Sequence, residues 1–196
     1  MSCLSLTSGI CRGCRDNAGG IKTIWMANLS SVNWASKVMD TGRVKDLQLT
    51  DGDWYCFLPN KNSSSWTENI NSSIENGVIS YGSVLNLIFG KNTSEKSQTI
   101  KELGQSETVA VVELNNGSFF LIGERNSGLQ VSGGSFSSGT AHADLNGWTV
   151  EMSVDESYPA LEIAVPDDPE NYTPATPSLY PLYDTLMSIS GCVCQE

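Results

Sequence analysis

The chain has 196 residues, 39% hydrophobic and 17% charged, with 18 glycines; this is enough for one well-buried domain with an appended arm and too apolar for wholesale disorder. Its net charge is -11, and from Asn126 onward there are 10 acidic residues and no basic one. Such a field repels phosphate, which excludes specific DNA or RNA binding but lets DNA lie nearby without adhering. No run is apolar enough for a membrane span. The opening MSCLSLTSGICRGCR does not follow the charged-then-apolar order of a secretory signal, so cytosolic synthesis is expected. Six cysteines, Cys3, Cys11, Cys14, Cys56, Cys192 and Cys194, are expected as free thiols in that setting.

In chain order, residues 1–20 read as an N-terminal arm. The run IKTIWMA, residues 21–27, follows Ala-Gly-Gly and reads as a strand. Residues 44–49 and 54–58 read as two more, joined at Asp51-Gly52, because a tight hairpin turn favours Asp-Gly. Residues 63–89 alternate apolar and polar side chains on both sides of Asn76-Gly77. Trp66, Ile70 and Ile74 fall on one face with Tyr81, Leu85 and Leu87. Thr67, Asn69, Asn71, Ser73 and Glu75 fall on the other. At about 3.3 Å per residue the arms reach roughly 35 to 40 Å, longer than an ordinary strand.

A short helix is expected from Asn92, as N-cap, to Gly104, with Ile100 and Leu103 facing inward. Residues 109–114 (VAVVEL) and 118–122 pair around Asn116-Gly117, and the first is apolar enough for a central strand. A Ser/Gly-rich loop is expected over 132–147, then strands at 148–154 and 161–165. Residues 166–196 hold five of the seven prolines. Proline removes ladder donors, so this segment reads as an extended acidic arm. Its apolar Leu179, Tyr180, Leu182, Tyr183, Leu186 and Met187 are expected to cross to a neighbouring subunit. The fold class is mainly β: a β-sandwich or barrel over 21–165 with a long hairpin and one short helix.

Catalytic chemistry finds little support. The single histidine, His142, sits in a Gly/Ser/Ala loop with no partner indicated by sequence. Cys11-x-x-Cys14 and Cys192-x-Cys194 could supply four thiolates to zinc, but the second spacing is short for such a site. Asp155-Glu156 and Asp167-Asp168 match no calcium-loop spacing and read as surface carboxylates. No catalytic residue, metal or cofactor is therefore assigned.

Four stretches carry a family resemblance: SLTSGICRGCRDNAGGIKTIWMANL, SSWTENINSSIENGVISYGSVLNL, VAVVELNNGSFFLIGE and GTAHADLNGWTVEMSVDESYPA. Over residues 5–163 the chain resembles virion structural proteins of tailed bacteriophages, particularly of Bacteroidetes hosts, and in element order it is similar to tail tube proteins. The resemblance implies stacked hexameric rings built by β-pairing between copies, made in the host cytoplasm and carried in the virion tail. It also implies that DNA passes through in transit, and that other virion proteins are partners. On that basis Trp66, Ile70, Ile74, Tyr81, Leu85 and Leu87 are assigned to the packed, assembly-bearing side of the hairpin. Thr67, Asn69, Asn71, Ser73 and Glu75 are assigned to the lumen. A neck or portal-proximal ring, or a capsid accessory protein, is the alternative within the virion. From another class, a ligand-binding β-sandwich would use Trp25, Trp34, Trp54, Trp66 or Trp148 as stacking platforms.

Overall fold

The computed structural model describes residues 9–10, 18–73, 75–124, 128–166 and 180–189. The expected mainly-β class is observed: eleven strands in three sheets, with two helices, among the described residues.

A central five-stranded sheet has the order β11-β8-β7-β1-β4. Its strands are β1 (Ile21–Asn28), β4 (Tyr55–Phe57), β7 (Thr108–Leu114), β8 (Phe119–Ile122) and β11 (Leu161–Glu162). β7 is buried on both faces, as its unbroken apolar run TVAVV requires, and pairs antiparallel with β1 and β8. Each face of this sheet carries its own core. On one, Ile24, Met26, Ala110 and Val112 meet Leu85, Leu87, Val150 and Met152 of a second, four-stranded sheet. On the other, Trp25, Val109, Val111 and Leu121 meet Val44 and Leu47, together with Leu182, Tyr183 and Leu186.

The four-stranded sheet has the order β5-β6-β10-β9, formed by β5 (Ser65–Ser73), β6 (Val78–Gly90), β10 (Gly147–Glu156) and β9 (Gln130–Ser137). The expected long hairpin is β5–β6, paired from Ser65↔Asn86 to Ser73↔Val78. β6 also pairs with β10 from Gly90↔Gly147 to Tyr81↔Glu156. Its 13 residues thus serve two neighbours of different extent, and beyond Tyr81 only β5 accompanies it. The helix α1 (Ser94–Leu103) follows, capped by the Thr93 hydroxyl accepting from Lys96 N–H at 3.3 Å, one residue later than expected. Ile100 and Leu103 pack into the core between the two sheets, as the pattern indicated.

Several expectations need correction. Residues 44–49 belong to β3 (Arg43–Leu49), which pairs with β2 (Val32–Asp40) as a separate two-stranded ribbon, while β4 pairs with β1. Asp51-Gly52 therefore carries the chain between sheets, and the hairpin turn lies at Thr41-Gly42, both with positive φ (51° and 85°). The first six residues of the expected Ser/Gly loop, 132–137, belong to the edge strand β9 (Gln130–Ser137). Within the C-terminal segment, α2 (Pro181–Ser188) packs Leu182, Tyr183 and Leu186 into this chain's own core. The expectation that those residues leave for a neighbouring subunit is overturned. Cys56 is disulfide-bonded, so it is not the free thiol expected. The other five cysteines, including Cys11, Cys14, Cys192 and Cys194, lie outside the described residues, as do Asp167 and Asp168.

Candidate functional site

The period-2 pattern of the hairpin correctly separates its two faces. On the inner face Leu85 and Leu87 are fully buried beneath the central sheet. Their side chains serve this chain's core and are closed to any neighbour, which corrects their assignment to an assembly contact. Trp66 is half-buried; its ring lies 5.1 Å from that of Phe120 on β8, and its Nε1 donates to Ser83 Oγ at 3.3 Å. Tyr81, also half-buried, stands opposite Ile70 and Glu156 in the last three-strand row. Ile70 lies on the packing face as expected, yet it is 70% exposed, because the central sheet does not reach beneath it. Val78 and Ile79 are exposed on the same projecting ribbon. Ile74 lies outside the described residues.

On the outer face, Thr67, Asn69 and Asn71 are exposed, Ser73 is half-buried and Glu75 is exposed in the turn. Strand register places Thr149, Glu151, Ser153 and Asp155 of β10 on this same face. Gly82 allows the face to close over itself: a Cβ there would stand 2.9 Å from Asp155 Oδ1 and 3.2 Å from Asn71 Nδ2. An open depression of about 680 Å³ runs along this end of the sheet, with Asn69, Asn71, Gly82, Gln130, Ser153 and Asp155 among its walls. None of the four strands contains Lys or Arg. Among the described residues the sheet's outer strands, β5 and β9, each have a single hydrogen-bonded neighbour. The surface is polar, acidic and bounded by two open strand edges.

The other candidates separate clearly. His142 is exposed in the loop after β9. Trp25 and Trp54 are buried, and Trp34 and Trp148 are partly buried against the cores, which leaves little flat indole surface for a ligand. Trp148 also donates Nε1–H to Asn92 Oδ1 at 3.0 Å and packs against Phe136. Among the described residues no group of three or more His, Cys, Asp or Glu is placed to hold a metal ion, and no helix is long and apolar enough to cross a membrane.

The reading of Asp155-Glu156 as two surface carboxylates holds for Asp155 alone. Glu156 is only 7% exposed and faces inward with Glu68 and Glu124. Burial first, then the negative charges of Glu124 and Glu68, raise its pKa to about 7 against the pull of a Glu124 backbone N–H and of Lys37. The signal was present in the sequence: Trp148, Val150, Met152 and Val154 set the alternation that carries Glu156 to the core side.

No protein-family model, no curated protein and no solved structure matches the chain.

Proposed function

We propose that this chain is a structural protein of a tailed phage virion whose copies close into stacked rings forming the tail tube, through which DNA passes. The observation that carries the reading is the four-stranded antiparallel sheet whose two outer strands are each left with an open edge among the described residues. Its strands alternate in direction, so β5 and β9 run oppositely. Rotating a second copy about an axis near the strand direction sets its β5 beside the first copy's β9, and the antiparallel alternation continues unbroken. An interface of that kind is head-to-tail and repeats until it closes into a ring. Unpaired edges of eight and nine residues are a liability in a lone subunit, and such pairing satisfies both.

The composition of the outer face supports a bore. Thr67, Asn69, Asn71, Ser73, Glu151 and Asp155 present hydroxyls, amides and carboxylates, and the absence of cations from the four strands leaves nothing to hold phosphate. No reaction is assigned to this surface. The partners in this reading are further copies, other virion proteins, and DNA in transit; the hexameric count rests on the resemblance alone.

Sedimentation velocity and negative-stain imaging of the purified full chain over a wide concentration range test the reading. Rings or tubes are expected at high concentration, with Ile70→Lys lowering their yield while the monomer's melting temperature stays unchanged. A chain that remains monomeric throughout overturns it. Isolated rings that never stack in register would move the protein to the neck.

A further inference from the structure

Glu156 occupies the last position at which β10 pairs with β6, opposite Tyr81, and Ile70 of β5 completes that row. Past it the hairpin continues as a two-stranded ribbon. The base of this ribbon therefore rests on whatever fixes Glu156. Around its carboxyl stand groups from every element that meets there. Lys37 of β2 donates Nζ–H to Glu124 Oε1, just after β8. Glu68 of β5 accepts from Ala160 N–H at 2.8 Å, and the Tyr81 phenol belongs to the facing strand. Glu124 and Glu156 are both more than nine-tenths buried, and among the described residues Glu124 Oε2 and Glu156 Oε1 have no hydrogen-bond partner.

Among the described residues, three inward carboxylates thus share one ammonium, and two of their oxygens accept no hydrogen bond. Buried acceptors without donors are costly, and buried negative charges more so. A proton on Glu156 removes one charge and supplies an O–H donor.

We propose that Glu156 is a proton-operated latch: protonated, it holds the projecting ribbon of the hairpin against the sandwich; ionised, it loosens that ribbon. The loosening falls there because the carboxylate sits at the end of the three-strand region, so parting the Ile70–Tyr81–Glu156 row admits water with the least disruption. The titration of Glu156 near neutrality agrees with the geometry. Since folding raises its pKa from 4.5 to about 7, the closed form is favoured fully below pH 4.5 and loses that advantage as the pH rises through about 7. The latch belongs to the single subunit and stands whether or not copies assemble.

Native-state hydrogen exchange of the full chain from pH 5.5 to 8.5, corrected for base catalysis, reads the latch at residues 71–73 and 78–82. The opening constant should climb with pH by up to about tenfold per unit, the limit for one linked proton, as far as about pH 7, and level off above it, where the carboxyl is ionised in both forms. Glu156→Gln, which keeps the shape without the charge, should abolish the climb. A flat wild-type profile, or a climb retained in the Gln variant, overturns the proposal. Should that variant fail to fold, side-chain carboxyl ¹³C titration of the wild type decides: one glutamate titrating near neutrality supports the latch, and all glutamates titrating below about pH 5 overturn it.

Discussion

Trp66 of β5 and Phe120 of β8 hold the four-stranded and central sheets together, their ring centroids 5.1 Å apart and their planes at 45°. The pair stands where the hairpin is still backed by the central sheet, four residues before Ile70 emerges into solvent. It thereby marks the boundary between the packed and projecting parts of the hairpin. Tilted aromatic pairs add about 1 kcal/mol beyond the area they bury, and a half-buried indole adds further apolar burial. Trp66→Ala should cost about 2 to 3 kcal/mol in urea unfolding, and the Trp66/Phe120 double-mutant cycle should return a coupling near 1 kcal/mol. A coupling of zero would mean that the two rings pack independently.

The helix α2 makes a second prediction, opposite to what its proline-rich surroundings indicate. Leu186 is fully buried, Leu182 nearly so, and Tyr183 meets Phe119 edge-on with centroids 5.6 Å apart. Truncation after Val165 removes these three side chains and uncovers Trp25, Val44 and Leu47 of the same cluster. At about 2 kcal/mol per buried side chain, the loss approaches the whole stability of a marginal domain. The truncated chain should be largely unfolded by circular dichroism, and Leu186→Ala alone should cost about 2 to 4 kcal/mol. A truncated chain that melts like the full one would show that α2 is dispensable.

What the sequence could and could not reveal follows from which signals are local. Alternation around Asn76-Gly77 and Asn116-Gly117 placed both hairpins, and the apolar run of β7 placed the central strand, because burial pattern and turn chemistry lie within a few residues. The ribbon β2–β3 was missed because its turn puts a threonine, Thr41, at φ 51°, a conformation its composition does not announce. β9 was missed because an edge strand of Ser and Gly brings only Val131 and Phe136 to its inner side. α2 carried a readable spacing at Leu182, Tyr183 and Leu186 with Pro181 at its first turn, but the upstream prolines masked it. On the outer face the candidate residues were legible from alternation alone. The open edges were not, since which strands border a sheet is a property of the whole topology.

Gly147 shows the same limit at one position. Asn146-Gly147 reads as a turn, yet Gly147 begins β10, and a Cβ there would stand 2.1 Å from Phe89 O and 2.9 Å from Gly90 Cα. Both obstacles are backbone, so they cannot swing aside. Gly147→Ala should pry β10 from β6 at the Phe89–Trp148 end and cost about 2 kcal/mol or more. Gly133→Ala, with open space around it, is the control that should fall within about 0.5 kcal/mol of wild type. Equal effects in the two variants would refute the close-approach account.

The loop after β9 supplies a pH dependence of the opposite sign to that of Glu156. Asp144 Oδ2 accepts from the N–H of Ala141 at 2.6 Å and of Thr140 at 2.8 Å, and these bonds hold its carboxyl below the usual value. The ionised form is the one that organises the loop, and Gly139, at φ 72°, leaves room for it where a Cβ would stand 2.8 Å from Asp144 Cβ. A depressed pKa contributes order that is complete above the ordinary aspartate value of 3.8 and vanishes as the pH falls through the lower folded value. The amide resonances of Thr140 and Ala141 should shift together as the pH is lowered through that range, with the melting temperature tracking other groups. In Asp144→Ala the same two amides should exchange faster at pH 7 while those of β10 keep their protection. If the two amides were equally protected in the variant, the carboxylate would not be what orders this loop.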